Sequence, residues 1–230
     1  MICQQDTPMA ILFDLDGTLV DTAPDLAQAT NALRQEHGLS PLPYSDIRRE
    51  VSHGGSALVT LALGLGKQEA GHNEARALLL EHYGQNVAEK SHLFAGFPEV
   101  LDHYRRTQRP WGIITNKPRE YAVPLLKALE IEPDVLLCAD DLPVKKPDPA
   151  PLLEAARRLG IEPEKCWYIG DHLRDIQAAN NAGMTAIAVK YGYLRQEDAP
   201  DEWPASQFFE TPEALCKVLL QQKIREAGDL

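Results

Sequence analysis

Residues 9–25 read MAILFDLDGTLVDTAPD. The strand candidate is 9–14 (MAILFD), whose core Ala10-Ile11-Leu12-Phe13 is apolar at odd and even positions alike. That pattern suits a strand covered on both faces, as in a parallel sheet flanked by helices. The run ends in Asp14 and Asp16, followed at once by Gly17-Thr18. Carboxylates at the end of a buried strand are costly unless the site is open or holds a cation. The stretch therefore predicts a central strand that delivers two acids to the edge of a sheet.

Working outward, four more short apolar runs read as strands: 111–115 (WGIIT), 134–139 (DVLLCA), 166–170 (CWYIG) and 185–190 (TAIAVK). Helical patterns lie between and after them, at 98–107, 118–130, 148–159, 174–182 and 211–222. Thr211-Pro212-Glu213 and Asp148-Pro149 are helix starts, and Gly160 and Gly183 fall where helices end. Alternation of strand and helix predicts an α/β fold with a doubly wound, Rossmann-like parallel sheet. One region breaks the alternation. Between the first strand and residue 98 the periodicity is helical, with candidate helices at 24–36, 45–51, 56–63 and 69–88. This predicts a helical domain inserted after the first strand. It would span 22–94, leaving 1–21 and 95–230 as the α/β core.

Bulk properties exclude several functions. A net charge of −11 argues against a nucleic-acid partner, which favours a basic surface. No apolar run approaches the roughly 20 residues of a membrane span. The start, MICQQDTPM, lacks the basic and apolar regions of a secretory signal. Cys3, Cys138, Cys166 and Cys216 are widely spaced and read as reduced thiols of a cytoplasmic protein. The histidines form no H-x-H or H-E-x-x-H motif, so they predict no metal site.

Ligands of open α/β sheets bind beyond the carboxyl ends of the strands. Asp14 and Asp16 follow the first strand; Thr115, Asn116 and Lys117 the second; Asp140, Asp141, Lys145 and Lys146 the third; Asp171 and Asp175 the fourth. Clustered acids repel unless a cation is present. Oxygen ligands beside a phosphate suit Mg²⁺. A carboxylate there can attack phosphorus, while lysine and hydroxyl or amide donors hold the equatorial oxygens. A second acid, two residues on, can protonate the leaving oxygen and later activate water. The chemistry that fits is hydrolysis of a phosphate ester.

DLDGT (14–18), ITN (114–116), KKP (145–147) and GDHLRD (170–175), in that order and spacing, resemble the haloacid dehalogenase-like superfamily. The likeness runs from residue 9 to about 193. It implies Asp14 as nucleophile and Mg²⁺ ligand, and Asp16 as general acid/base with its carbonyl on the metal. It implies Thr115 and Asn116 as phosphate binders, and Lys146, before Pro147, as the lysine that steadies nucleophile and phosphate. Asp171 and Asp175 become the remaining metal acids, Asp175 orienting a metal water. His172 is expected to be an exposed loop residue. The helical insertion corresponds to a cap, with hinges near Asp21-Thr22 and Phe94-Ala95-Gly96. Specificity is expected from IRREVSHGGSAL (47–58), with Arg48 for a substrate carboxylate and His53, Gly54 and Gly55 in the binding loop.

GTLVDTAPDL (17–26) and VKYGY (189–193) resemble the phosphoglycolate phosphatase branch. LFAGFPEVL (93–101) and GDHLRDIQAANNAGM (170–184) are similar to phosphatases of N-acetylmuramic acid 6-phosphate in that branch. The implied partner is a small phosphorylated metabolite, a sugar phosphate or phosphoglycolate. Two other readings share these residues. A sugar phosphomutase would return the phosphate to a sugar. A signalling receiver domain would use an acid pair, a threonine and a lysine, but needs neither Asp171 and Asp175 nor the insertion.

Overall fold

The computed structural model describes residues 8–221. Strand β1 (Ala10–Phe13) is followed by the short β2 (Val20–Asp21). Four helices come next: α1 (Ala23–Glu36), α2 (Tyr44–Glu50), α3 (Gly55–Leu63) and α4 (His72–Gln85). The chain returns through β3 (His92–Leu93) into α5 (Phe97–Thr107), β4 (Trp111–Ile114), α6 (Arg119–Ala128) and β5 (Val135–Leu137). It closes with α7 (Ala150–Leu159), β6 (Cys166–Gly170), α8 (Leu173–Asn181), β7 (Thr185–Val189), β8 (Gln207–Phe209) and α9 (Pro212–Gln221).

Six strands form one parallel sheet in the order β5-β4-β1-β6-β7-β8. β1 lies inside it, with Ile11 opposite Trp111 of β4 and Trp167 of β6. The winding changes direction across β1, which is where ligand sites form in such sheets. Parity explains the doubly apolar strands. Ile11, Phe13, Ile113, Ile169 and Ile187 face one core with α5, α6 and α9. Leu12, Ile114, Tyr168, Ala186 and Ala188 face the other core with α7 and α8. Phe13 meets Phe97 edge-on, with ring centroids 5.7 Å apart.

At Gly112 of β4 the two sheets of side chains leave no space. A Cβ there would sit 2.3 Å from Val135 Cγ1 and 2.9 Å from the Val135 carbonyl. Gly112→Ala is expected to destabilise the fold by about 1–3 kcal/mol, read as a lower midpoint of thermal unfolding. An unchanged midpoint would contradict this packing.

The helices between β2 and β3 have their own apolar cluster, built on Leu33, Ile47, Leu58, Val59, Leu79 and Tyr83. The short strands β2 and β3 pair antiparallel, Val20 with Leu93 and Asp21 with His92. They lie beside residues 21–22 and 94–96, where the sequence predicts hinges. Asp25 ties the two crossings together. Its carboxylate accepts from the Lys90 amide (2.9 Å), the Ser91 amide (2.8 Å) and the Ser91 hydroxyl (2.5 Å).

The five predicted strands and five core helices are all present, within a few residues. Three strands were not anticipated. β8 is three half-buried residues at the sheet edge, too short to carry periodicity. β2 and β3 are two residues each. Cys138, Cys166 and Cys216 are buried free thiols; Cys3 and the predicted helix end at 222 lie outside the described residues. Among the described residues no helix is long and apolar enough to cross a membrane.

Candidate active site

Beyond the carboxyl edge of the sheet lies a cavity of about 580 Å³, between the strand ends and the inserted helices. Asp14, Asp16, Thr115, Asn116, Lys146 and Asp175 line its floor, and His53, Gly54 and Gly55 its opposite wall. Carboxylate oxygens of Asp14, Asp171 and Asp175 come within 4.8 Å of one another. Asp16 is not in this group. Its Oδ1 accepts from the Thr22 hydroxyl (2.5 Å) and from Lys117 Nζ (2.8 Å).

Buried Lys146 organises the acids. Its Nζ is 2.8 Å from Asp14 Oδ1 and 2.8 Å from Asp175 Oδ1, and donates to the Ile114 carbonyl (2.8 Å). Burial works against its charge, but Asp14 and Asp175 outweigh burial and raise its pKa. Burial pushes Asp14 up to about 6, with Lys146 opposing and Asp175 adding to the rise. Burial also pushes Asp171 up to about 7, helped by Asp14 and Asp175. One lysine does not satisfy three acids.

Asp171 is satisfied through one oxygen only. Its Oδ2 accepts from the Tyr193 amide (2.9 Å) and the Ser52 hydroxyl (2.9 Å). Among the described residues its buried Oδ1 has no hydrogen-bond partner. The neighbouring backbone is shaped around this carboxylate. A Cβ on Gly17, whose φ is +80°, would lie 2.3 Å from Asp171 Oδ2. Three carboxylates with an orphaned oxygen are a donor set that fits a hard divalent cation such as Mg²⁺. Asp140 and Asp141 do not join them. Both turn to Arg119, accepting from its amide (2.9 Å) and its Nε (2.6 Å) respectively.

Thr115 and Asn116 sit beside the acids. Thr115 Oγ1 accepts from the Lys117 amide at 3.0 Å, and Asn116 Nδ2 donates to the Lys146 carbonyl at 2.9 Å. The structure corrects two expectations. Arg48 does not line the cavity. Its guanidinium donates to the carbonyls of Gly192 (2.8 Å) and Tyr191 (2.9 Å) and stacks over Tyr193 at 4.8 Å. These backbone carbonyls engage its guanidinium away from the cavity, where a substrate carboxylate was expected. His172 is not an exposed loop residue. It caps α8, lines the cavity, and meets His53 edge-on at 5.0 Å. Its Nδ1 accepts from the Arg174 amide and Nε, both at 3.2 Å, so the ring proton belongs on Nε2. Burial, then Arg174, lowers its pKa to about 4, and burial also lowers that of His53.

Three functional contacts were not assigned from sequence. Lys117 holds Asp16 and lies 4.6 Å from the ring centroid of Tyr83 on α4. Burial opposes its charge, but Asp16 and Tyr83 hold its pKa above the ordinary lysine value. Its place after a strand among other polar residues was the available signal. Ser52 reaches Asp171 from the inserted segment, and no local pattern marks it. Tyr193, within VKYGY, accepts through its hydroxyl from the amides of Thr22 (2.7 Å) and Ala23 (3.0 Å), while its own amide holds Asp171.

The family comparison agrees with this geometry. Residues 11–189 match the family of haloacid dehalogenase-like hydrolases. The N-acetylmuramic acid 6-phosphate phosphatase of Pseudomonas aeruginosa is 41% identical over 212 residues, 91% of this chain and 94% of that one. A phosphoglycolate phosphatase of Xanthomonas campestris pv. campestris is 38% identical over 90% of this chain and 95% of its own. A crystal structure of a predicted phosphoglycolate phosphatase from Haemophilus somnus 129pt superposes with a TM-score of 0.81 at 26% identity. It covers 93% of this chain and 99% of that one. The chain belongs to the haloacid dehalogenase-like hydrolases. Within that family it is a phosphatase.

Proposed function

We propose that the protein hydrolyses a small phosphate monoester in a Mg²⁺-dependent reaction through an aspartyl-phosphate on Asp14. The observation that carries this is the clustering of the Asp14, Asp171 and Asp175 carboxylates, with Lys146 paired to Asp14 and Asp175 and Asp16 alongside. Asp14 attacks phosphorus, and the ester oxygen leaves with a proton from Asp16. Water then attacks the aspartyl-phosphate, giving its proton to Asp16 and freeing Asp14 and inorganic phosphate. Lys117 and Thr22 fix Asp16 Oδ1, which leaves its other oxygen to handle the proton. Thr115 and Asn116 hold the phosphate oxygens, and Lys146 orients Asp14. Asp14, Asp171 and Asp175, with the Asp16 carbonyl, would hold the Mg²⁺. When bound, that ion offsets the negative charge of the acids and the phosphate.

The helices at 22–94 act as a cap, with residues 21–22 and 94–96 as hinges. Contacts from Ser52 to Asp171 and from Arg174 to the Ser52 carbonyl (2.7 Å) close it on the core and exclude water. The substrate is N-acetylmuramic acid 6-phosphate or 2-phosphoglycolate, the substrates in the relatives' names. A cavity of about 580 Å³ suits the larger of the two, since cavities for drug-sized ligands span about 300–1,000 Å³.

Phosphate release from these two esters with Mg²⁺ tests the reading. Chelation of divalent ions is expected to abolish release, and Mg²⁺ to restore it. Stability gives a second check. The folded values of about 6 and 7 for Asp14 and Asp171 exceed the ordinary 3.8. Without a cation the native state binds more protons than the unfolded chain, so stability falls as pH rises from about 4 to about 7. A cation takes the place of those protons. Added Mg²⁺ should therefore raise the unfolding midpoint more at pH 8 than at pH 5. Equal shifts at both pH values would contradict the assigned ligands.

A further inference from the structure

We infer that Arg76 holds the substrate's second acidic group, a carboxylate remote from the phosphate; this rests on the phosphomonoesterase reading above. The starting observation is electrostatic. The chain carries a net charge of −11, yet basic side chains outnumber acidic ones around the cavity. Such a site concentrates anions against the field of the whole molecule. Much of this positive charge is already committed. Lys146 serves Asp14 and Asp175, Lys117 serves Asp16, and Arg174 donates to the Ser52 carbonyl and His172. Lys67 and Lys145 are exposed and solvated.

Arg76 differs from all of these. It stands on α4, half-buried, and lines the cavity. Among the described residues it makes no ion pair and no hydrogen bond. Its Nε packs against Gly55, 3.7 Å from where a Cβ would sit, so the glycine leaves the guanidinium uncovered. A guanidinium that lines a cavity with no protein acceptor keeps its donors for a bound anion. Its planar fork matches a carboxylate through two parallel hydrogen bonds, which a lysine does not offer. The same wall carries no carboxylate to compete, because Asp14, Asp16 and Asp175 are the acids of the cavity and lie at its floor. The phosphate end and the carboxylate end of the substrate are thus read by different elements, the strand edge and α4.

A matched pair of esters tests this: N-acetylmuramic acid 6-phosphate and N-acetylglucosamine 6-phosphate, which lacks the lactyl carboxylate. The wild-type protein is expected to prefer the acid by about 10- to 100-fold in kcat/KM. Arg76→Ala should bring that ratio close to one, mainly through KM for the acid. Arg76→Lys, which keeps the charge but loses the fork, should give an intermediate ratio and covers the case in which the alanine variant does not fold. A preference equal to the wild type's in either variant, or no preference in the wild type, overturns the assignment of Arg76. Failure of the wild type to release phosphate from either ester, or from p-nitrophenyl phosphate, overturns the phosphatase reading instead.

Discussion

Asp14→Asn is expected to abolish phosphate release while leaving the protein folded. An amide is a poor nucleophile, and no other carboxylate holds the same place at the end of β1 beside Lys146. Loss of a covalent nucleophile costs on the order of 10⁴-fold or more in kcat. The substitution is nearly isosteric, and Lys146 keeps its ion pair with Asp175 at 2.8 Å. The thermal unfolding midpoint should therefore stay close to that of the wild type. Full activity in Asp14→Asn would remove the nucleophile assignment. A large loss of stability would instead make the carboxylate a structural group.

Lys146→Met should be more damaging to the fold. The lysine Nζ sits between two buried carboxylates and also donates to the Ile114 carbonyl and the Tyr168 hydroxyl (2.7 Å). Methionine fills similar volume but leaves Asp14 and Asp175 without their counter-charge. Breaking a buried pair in this way costs about 3–5 kcal/mol. That corresponds to a fall of roughly 6–20 °C in the unfolding midpoint for a chain of this length. The sign of its pH dependence follows from the acids. At pH 8 Asp14 and Asp171 are ionised and repel their neighbours; at pH 5 protonation of these two, whose pKa values burial raises to about 6 and about 7, relieves much of that repulsion. The loss should therefore be larger at pH 8. Hydrolysis should also fall, by on the order of 10³-fold, because the attacking carboxylate and the phosphate both lose their cation. An unchanged midpoint at pH 8 would contradict the arrangement around Lys146.

Much of this site is legible in the sequence, for physical reasons. The apolar run at 10–13 is doubly buried, so it had to be an inner strand. Acids after such a strand stand out because burial makes them costly. The order of the four polar clusters then matched the order of strand ends. What stayed hidden depends on distance in the chain. Arg48 looked available because nothing local showed that it would find carbonyls at 191 and 192. Arg76 carries no local signal in the sequence; only the fold shows that it lines the cavity, without a partner among the described residues. Ser52 and Tyr193 act on Asp171 from residues far apart in sequence. β2, β3 and β8 are too short for alternation to show.

The fold also suggests why the cap and the acids are joined so directly. Tyr193 contacts both the start of α1 and Asp171, and Ser52 reaches the same carboxylate from the other side of the insertion. Movement of the inserted helices would thus be felt at the acid cluster itself.

Phosphate is expected to pass through a covalent bond to Asp14. The direct measurement is rapid acid quenching of the protein during turnover with Mg²⁺, followed by borohydride reduction and mass mapping of the peptides. A phosphate adduct is expected in the protein at early times, with reduction converting residue 14, and no adduct in Asp14→Asn. Phosphate release with no adduct at any quench time, or an adduct on a residue other than Asp14, would contradict it.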